Sequence, residues 1–264
     1  IDTGTATEVV VASDVTTLPP NIFRNNTTIT QVTFEESSSV TTIGNKAFGG
    51  CTALMSVTIP DSVITIDDYG FTECNALTSV TFPSNPQFTT IGRGAFQNCD
   101  LTSITIPDSV TTIGEYVFTG CRALTSVTLP SNPQFTTIGS YTFLNCNALT
   151  SITIPDSVTT IGDGGFSSCI ALTSVTLPSN PQFTTIGGGG FYNCNLTSIT
   201  IPKSVTTIGA SAFHYNYFEI NSVKLHYNLK PHIQSAFQID PDNSTENNIF
   251  DYLGISLNWN NITA

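Results

Sequence analysis

One template recurs along this chain, and its period leaves few folds open. The isoleucines that precede a phenylalanine by five residues are Ile43, Ile66, Ile91, Ile113, Ile138, Ile161, Ile186 and Ile208, spaced 23, 25, 22, 25, 23, 25 and 22 residues apart. The phenylalanines are Phe48, Phe71, Phe96, Phe118, Phe143, Phe166, Phe191 and Phe213. Three residues after each of the first seven stands a cysteine: Cys51, Cys74, Cys99, Cys121, Cys146, Cys169 and Cys194. Asn216 takes that place in the last copy, and a weaker copy in front has Val9, Val11, Leu18 and Phe23 at the matching offsets, with Asn26 in place of the cysteine. Such a period is the signature of a solenoid, in which no unit buries its own apolar face and stacking creates one continuous core.

Within each unit the run Leu-Thr-Ser-Val-Thr-Ile/Leu/Phe-Pro alternates apolar and polar residues, a short strand stopped by a proline that cannot donate to a ladder. Stacked coils then pair strand on strand into a continuous parallel sheet of about ten short strands, the first over residues 7–11, the next over 29–34 and the last over 220–225. The Ile, Phe and Cys columns become core. The variable trio between each Ile-Gly and its Phe, for example Glu115-Tyr116-Val117, is expected to form a single helical turn, too short to be stable alone. The fold class expected is an α/β solenoid: a parallel sheet on one face, short helical turns and short extended segments on the other, mostly β and irregular.

Coil lengths alternate. The short type reads Pro-Asp-Ser-Val-Thr-Thr-Ile, as from Pro107 to Ile113, and the long type Pro-Ser-Asn-Pro-Gln-Phe-Thr-Thr-Ile, as from Pro83 to Ile91. Two extra residues bulge out in every second coil, so the repeating unit is a pair of coils. Residues 1–28 form an N-terminal cap coil, 29–225 the solenoid and 226–264 a C-terminal cap. In that last segment residues 230–237 resemble one more Ile-to-Phe stretch with a residue lost, and 249–259 bring in Trp259, the only tryptophan.

Seven cysteines raise the question of disulfides or zinc. Neighbours in one column point the same way rather than at each other, and nothing like C-x-x-C brings four ligands to a point. They are expected to be buried free thiols acting as small hydrophobes. Asn26 and Asn216 hold the column's two ends, where solvent would reach a thiol.

Charge excludes other classes. Seven basic residues against 19 acidic ones give a net charge of −12, so neither nucleic acid nor an anionic membrane surface gains from contact with the chain. No apolar run approaches ~18 residues, so no membrane insertion is expected. Ile1 is first and Met55 is the only methionine, so the chain reads as processed or as a fragment.

The run Leu-x-x-Val/Ile-x-Ile/Leu-x-x-Ser/Asn matches the leucine-rich-repeat consensus. Asn85, Asn132 and Asn180 take its asparagine position in long coils, and Ser62, Ser109, Ser157 and Ser204 take it in short ones. With Ile-Pro-x-Ser-Val-x-x-Ile-Gly-x-x-x-Phe-x-x-Cys, residues 6–225 resemble the BspA-type leucine-rich repeats of microbial surface proteins. The resemblance implies an extracellular or cell-surface location, a protein or glycan ligand, no cofactor and no catalysis.

Candidate sites follow from position. Outward residues of the strands form a serine column, including Ser79, Ser103, Ser126, Ser151 and Ser174, beside a threonine column, including Thr81, Thr105, Thr128, Thr153 and Thr176. Such an array suits many weak hydrogen bonds to a macromolecule or ordered water, as in ice-binding solenoids; threonine is equally an ordinary strand-surface residue. Tyr116, Tyr141, Tyr192, Arg93 and Arg122 lie at the variable positions around the Phe column, as contacts or as unconstrained surface. His214, His226 and His232 gather at or beyond the last coil, and Asp61, Asp108 and Asp156 recur every second coil as turn residues. Glycosylation sequons occur at Asn25, Asn26, Asn195, Asn243 and Asn261, of which Asn243 is the best placed and Asn195, beside core Leu196, the worst. The function expected is non-catalytic surface binding or adhesion. The alternatives are a structural subunit self-associating through the solenoid ends and, third, an ice-binding protein.

Overall fold

In a computed structural model the chain is a right-through stack of coils; the structure describes residues 7–217 and 223–224. Among the described residues nineteen short strands alternate along the sequence, two per complete coil. The first strand of a coil carries Ser-Val/Ile-Thr, as at Ser103–Thr105, and the second is a Thr-Ile pair, as at Thr112–Ile113. All pairings are parallel and in register, like on like: Ser56↔Ser79, Val57↔Val80 and Thr58↔Thr81 on the first face, Thr42↔Thr65 and Ile43↔Ile66 on the second. Ten first strands match the sequence expectation, whereas the nine second strands turn the loosely extended segments into two further parallel sheets, one of five strands and one of four, parted between Thr112–Ile113 and Thr137–Ile138.

The expected helical turns are not there: among the described residues no segment is helical, and the α/β description gives way to a parallel β-solenoid. Backbone dihedrals show why. Two residues of each coil, third and seventh after the Ile position, have positive φ: Lys46 and Gly50, Tyr69 and Glu73, Tyr116 and Gly120, Tyr141 and Asn145. A left-handed residue every fourth position breaks any helical ladder. In its place the amides alternate. Ala47, Gly49 and Cys51 donate to carbonyls three residues back in their own coil, while Lys46, Phe48 and Gly50 donate to Asp68, Gly70 and Thr72 in the next. Each of the eight coil interfaces carries this triplet, and every N–H of the triplets points toward the C-terminal neighbour.

The core is a set of ladders. The Phe column stacks from Phe23 to Phe213 with centroids 5.0–5.9 Å apart and nearly parallel rings. All seven cysteines are free and buried. Each thiol donates to the carbonyl of the phenylalanine one coil back, at 3.1–3.3 Å, as Cys121 does to Phe96. Asn216 is not a concession to solvent, for it is buried. Its amide fills the thiol's slot, donating to Phe191 O at 2.8 Å and Phe213 O at 2.9 Å while Oδ1 accepts from Leu196 N. Asn26 caps its own turn, accepting from the amides of Thr28 and Ile29. A further core column lies three residues before the second-strand Ile, with Val40, Val63, Val110, Val158 and Val205 alternating with Phe88, Phe135 and Phe183.

The first-face sheet is not continuous, as the sequence had suggested. Four strands pair from Glu8–Val11 to Ser79–Thr81; then Ser103–Thr105 pairs only with Ser126–Thr128, and Ser151–Thr153 only with Ser174–Thr176. Beyond those four, strands pair where a short coil is followed by a long one, and the Pro-Ser-Asn-Pro loop of the long coil bears on it. In the short-to-long direction the bulge is bonded down: Asp108 Oδ1 accepts from the amide and hydroxyl of Ser131, Asn132 Nδ2 donates to Asp108 O and Val110 O, and its Oδ1 accepts from Gln134 and Phe135 amides. Asp61 with Ser84 and Asn85, and Asp156 with Ser179 and Asn180, repeat the stitch. Lys203 replaces the aspartate in the last short coil, after which no Ser-Asn loop follows. The C-terminal cap expected over 226–264 lies outside the described residues.

Candidate surface for ligand binding

Strand alternation fixes which side chains face out. Val57, Ile104 and Ile152 point into the core, so Ser and Thr on either side point away, and Ser79, Thr81, Ser103, Thr105, Ser126, Thr128, Ser151, Thr153, Ser174 and Thr176 are all exposed on one face. Pairing sets Ser126 beside Ser103 and Thr128 beside Thr105, so each plate presents like hydroxyls in rows. At the N-terminal end the face changes character: Gln31 and Glu8 continue the serine row, and Thr33 and exposed Val10 the threonine row.

Other threonines are differently employed. Just before the first strand, Thr30, Thr78, Thr102, Thr125 and Thr173 donate their hydroxyls to carbonyls one coil back, at 2.9–3.4 Å. Before the second strand Thr41, Thr111 and Thr159 do the same. The ten face residues make no side-chain hydrogen bond among the described residues. Their donors and acceptors are therefore left to solvent or to a ligand.

The variable residues around the Phe column are less free than the sequence suggested. Tyr116 stacks on Tyr141 at 5.0 Å, Arg93 lies over the Tyr116 ring at 4.9 Å, and Lys46 lies over Tyr69 at 5.2 Å. Gly94 is forced by this ridge: its φ is +57°, and a Cβ there would come within 2.6 Å of the Tyr69 ring. Tyr192 packs edge-on against Tyr215 at 5.4 Å and beside His214. These rings spend their faces on one another, and Arg122 alone of this set stands exposed without such a contact.

Asp68 and Asp163 accept from the amides of Arg93 and Gly188, tying adjacent turns. The Ser131 amide and hydroxyl hold the Asp108 carboxyl below its ordinary range, whereas burial and then neighbouring Asp68 push Asp67 up. Burial dominates the thiols, with Cys51 and Cys121 pushed up to about 12. Among the described residues no group of three or more His, Cys, Asp or Glu is placed to hold a metal ion, and no helix is long and apolar enough to cross a membrane. Of the sequons, Asn25 is exposed, Asn26 is engaged in its cap, and Asn195 is exposed although Leu196 beside it is buried, because successive residues there face opposite ways. Asn243, Asn261, His226 and His232 lie outside the described residues.

The family described as "BspA type Leucine rich repeat region" matches residues 2–92 and 89–220, in six copies. Among solved structures, the pneumococcal vaccine antigen PcpA is 20% identical over 85% of this chain and 63% of its own, with a TM-score of 0.59. A leucine-rich repeat protein from Bacteroides ovatus is 25% identical over 86% of this chain and 65% of its own, with a TM-score of 0.56. A leucine-rich repeat protein of T. pallidum is 25% identical over 72% and 77%, at 0.50. The chain spans less than two thirds of the length of the first two. No curated protein matches its sequence.

Proposed function

The chain belongs to the BspA-type leucine-rich-repeat family, and on that premise we propose that it is a non-catalytic, surface-exposed or secreted binding protein whose first-strand face takes a protein or glycan ligand. The observation that carries this reading is the division of labour among hydroxyls. Threonines that enter the strands are spent on backbone carbonyls, and Ser84, Ser131 and Ser179 on aspartate, while the two parallel hydroxyl rows of the face are exposed and unengaged. An uncharged, hydroxyl-lined face binds through many weak contacts whose sum depends on register, which suits an extended macromolecule better than a small molecule. Nothing in this arrangement supplies a nucleophile, a base and an oriented partner together.

The test is an array of glycans and extracellular matrix proteins probed with the full chain. Binding is expected to disappear in a variant with Thr105→Lys, Thr128→Lys and Thr153→Lys, and to persist with Thr112→Lys, Thr137→Lys and Thr160→Lys on the second face. No signal above background for the parent chain, or equal loss in both variants, overturns the reading.

A further inference from the structure

Each long coil is bonded unevenly to its two neighbours. Toward the preceding short coil the backbone bond at the strand exit is present: Ile59 N–H donates to Thr81 O at 2.9 Å, Ile106 to Thr128 at 3.0 Å and Ile154 to Thr176 at 2.9 Å. Toward the following short coil the corresponding amides, those of Phe82, Leu129 and Leu177, make no such bond, and the first-face ladder stops there. The exit loops of these same short coils hold Ser109, Ser157 and Ser204, whose hydroxyls are buried without a partner among the described residues. Side chains agree: the inward strand residues Ile104 and Ile152 of short coils are 3% and 4% exposed, while Val80, Val127 and Val175 of long coils are only partly buried.

Elsewhere the same junctions are well joined. The second strands pair across them, Thr90↔Thr112, Thr137↔Thr160 and Thr185↔Thr207. The axial amide triplets are complete too, with Phe96 donating to Val117 O, Phe143 to Gly165 O and Phe191 to Ala212 O. A strand-entry bond, Thr102 N–H to Thr78 O at 3.2 Å, also persists at the first of them. The earliest long-to-short junction is an internal control. There the strands pair through Val32↔Val57, and Ser62 donates to Val40 O at 2.7 Å. Its long loop, Glu35 to Ser39, lacks the Pro-Ser-Asn-Pro run and places Val40 where the others place Phe88, Phe135 or Phe183.

We propose that these three junctions are joints at which the solenoid bends, parting at the strand exits on the first face while the second-face strands and the axial amides act as the hinge. Missing backbone bonds and orphaned hydroxyls lower the cost of parting the first-face strands at these places relative to the short-to-long junctions; the second face has its own single break elsewhere, between Thr112–Ile113 and Thr137–Ile138, where the first face is paired. The face therefore consists of a four-strand plate and two-strand plates that tilt against one another, and its curvature adjusts every second coil. The idea is independent of what the face binds.

Two measurements on the full chain test it. Paired spin labels at Thr128→Cys and Thr200→Cys span the last two joints on the first face, and Thr137→Cys and Thr207→Cys span the same coils on the second, within one unbroken four-strand sheet; the native thiols are buried and stay unlabelled. The first pair is expected to give a distance distribution at least twice as wide as the second. Hydrogen exchange is expected to be at least tenfold faster at Phe82, Leu129 and Leu177 than at Ile59, Ile106 and Ile154. Equal widths on the two faces, or equal protection of the two sets of amides, overturns the proposal.

Discussion

Seven buried thiols each donate to a phenylalanine carbonyl one coil back, so these side chains work as short hydrogen-bonding spacers in a crowded core. Their chemistry follows from burial. Thiol reagents are expected to label none of them in the native protein and all seven after unfolding in denaturant; rapid native labelling of even one would contradict the packing. Cys121 has its pKa raised from 9.0 to about 12 by burial, so folding favours its protonated form. Its contribution is fully present below about 9.0 and is lost as pH climbs toward about 12, so the urea midpoint should fall across that interval. At the column's end Asn216→Ala strips partners from Leu196 N, Phe191 O and Phe213 O together, a loss on the order of 2 kcal/mol in an unfolding titration. The sequence placed the cysteines correctly because side chains stacked in one column point the same way rather than at each other. It misjudged Asn216, because a bonded amide and a solvated amide leave the same mark in a sequence.

A coil is held through ladders of identical residues, so damage to one rung is felt by two neighbours. Phe118→Ala removes a ring stacked between Phe96 and Phe143 and should cost about 3–5 kcal/mol by chemical denaturation, with exchange protection lost first in the adjoining coils. The stitch at the long loop has a pH signature. Ser131 lowers the pKa of Asp108, so this bonding is present above the unfolded carboxylate range and is lost as pH falls through the folded value. Asp108→Asn should therefore melt lower than the parent at neutral pH, and the gap should close in acid; a gap that persists unchanged would show that the carboxylate is not the group responsible. Strand, proline stop and coil alternation were legible from apolar spacing. The turn strip was not: a left-handed backbone is announced by glycine at Gly94 or Gly164, but Lys46, Tyr69, Tyr116 and Ser211 adopt it without any such signal. The second core column was hidden for a related reason, since Phe88, Phe135 and Phe183 sit in loops that otherwise read as polar bulges.

At the scale of the molecule the short-long pair is the unit that can be added or removed. Deleting residues 107–154 rejoins Ile106 to Pro155 on an identical template and is expected to leave a cooperatively folding, shorter solenoid. Deleting only residues 107–129 would set two long loops in succession and leave Ser131 and Asn132 without Asp108. That chain should melt well below the pair deletion in calorimetry, and equal melting would argue that single coils are the unit. The proposed binding face was legible only as a pair of candidate columns, because exposure could be read from alternation but the engagement of neighbouring hydroxyls could not. The amide triplets carry one more consequence. Along the strip between each second-strand Ile and its cysteine the inter-coil N–H groups all point one way, so their dipoles add there, with Pro20, Ile22 and Arg24 holding the carbonyl positions of the strip in the first coil. Two copies meeting strip against strip at that coil would oppose oxygen to oxygen there, which disfavours a closed twofold pair through this strip.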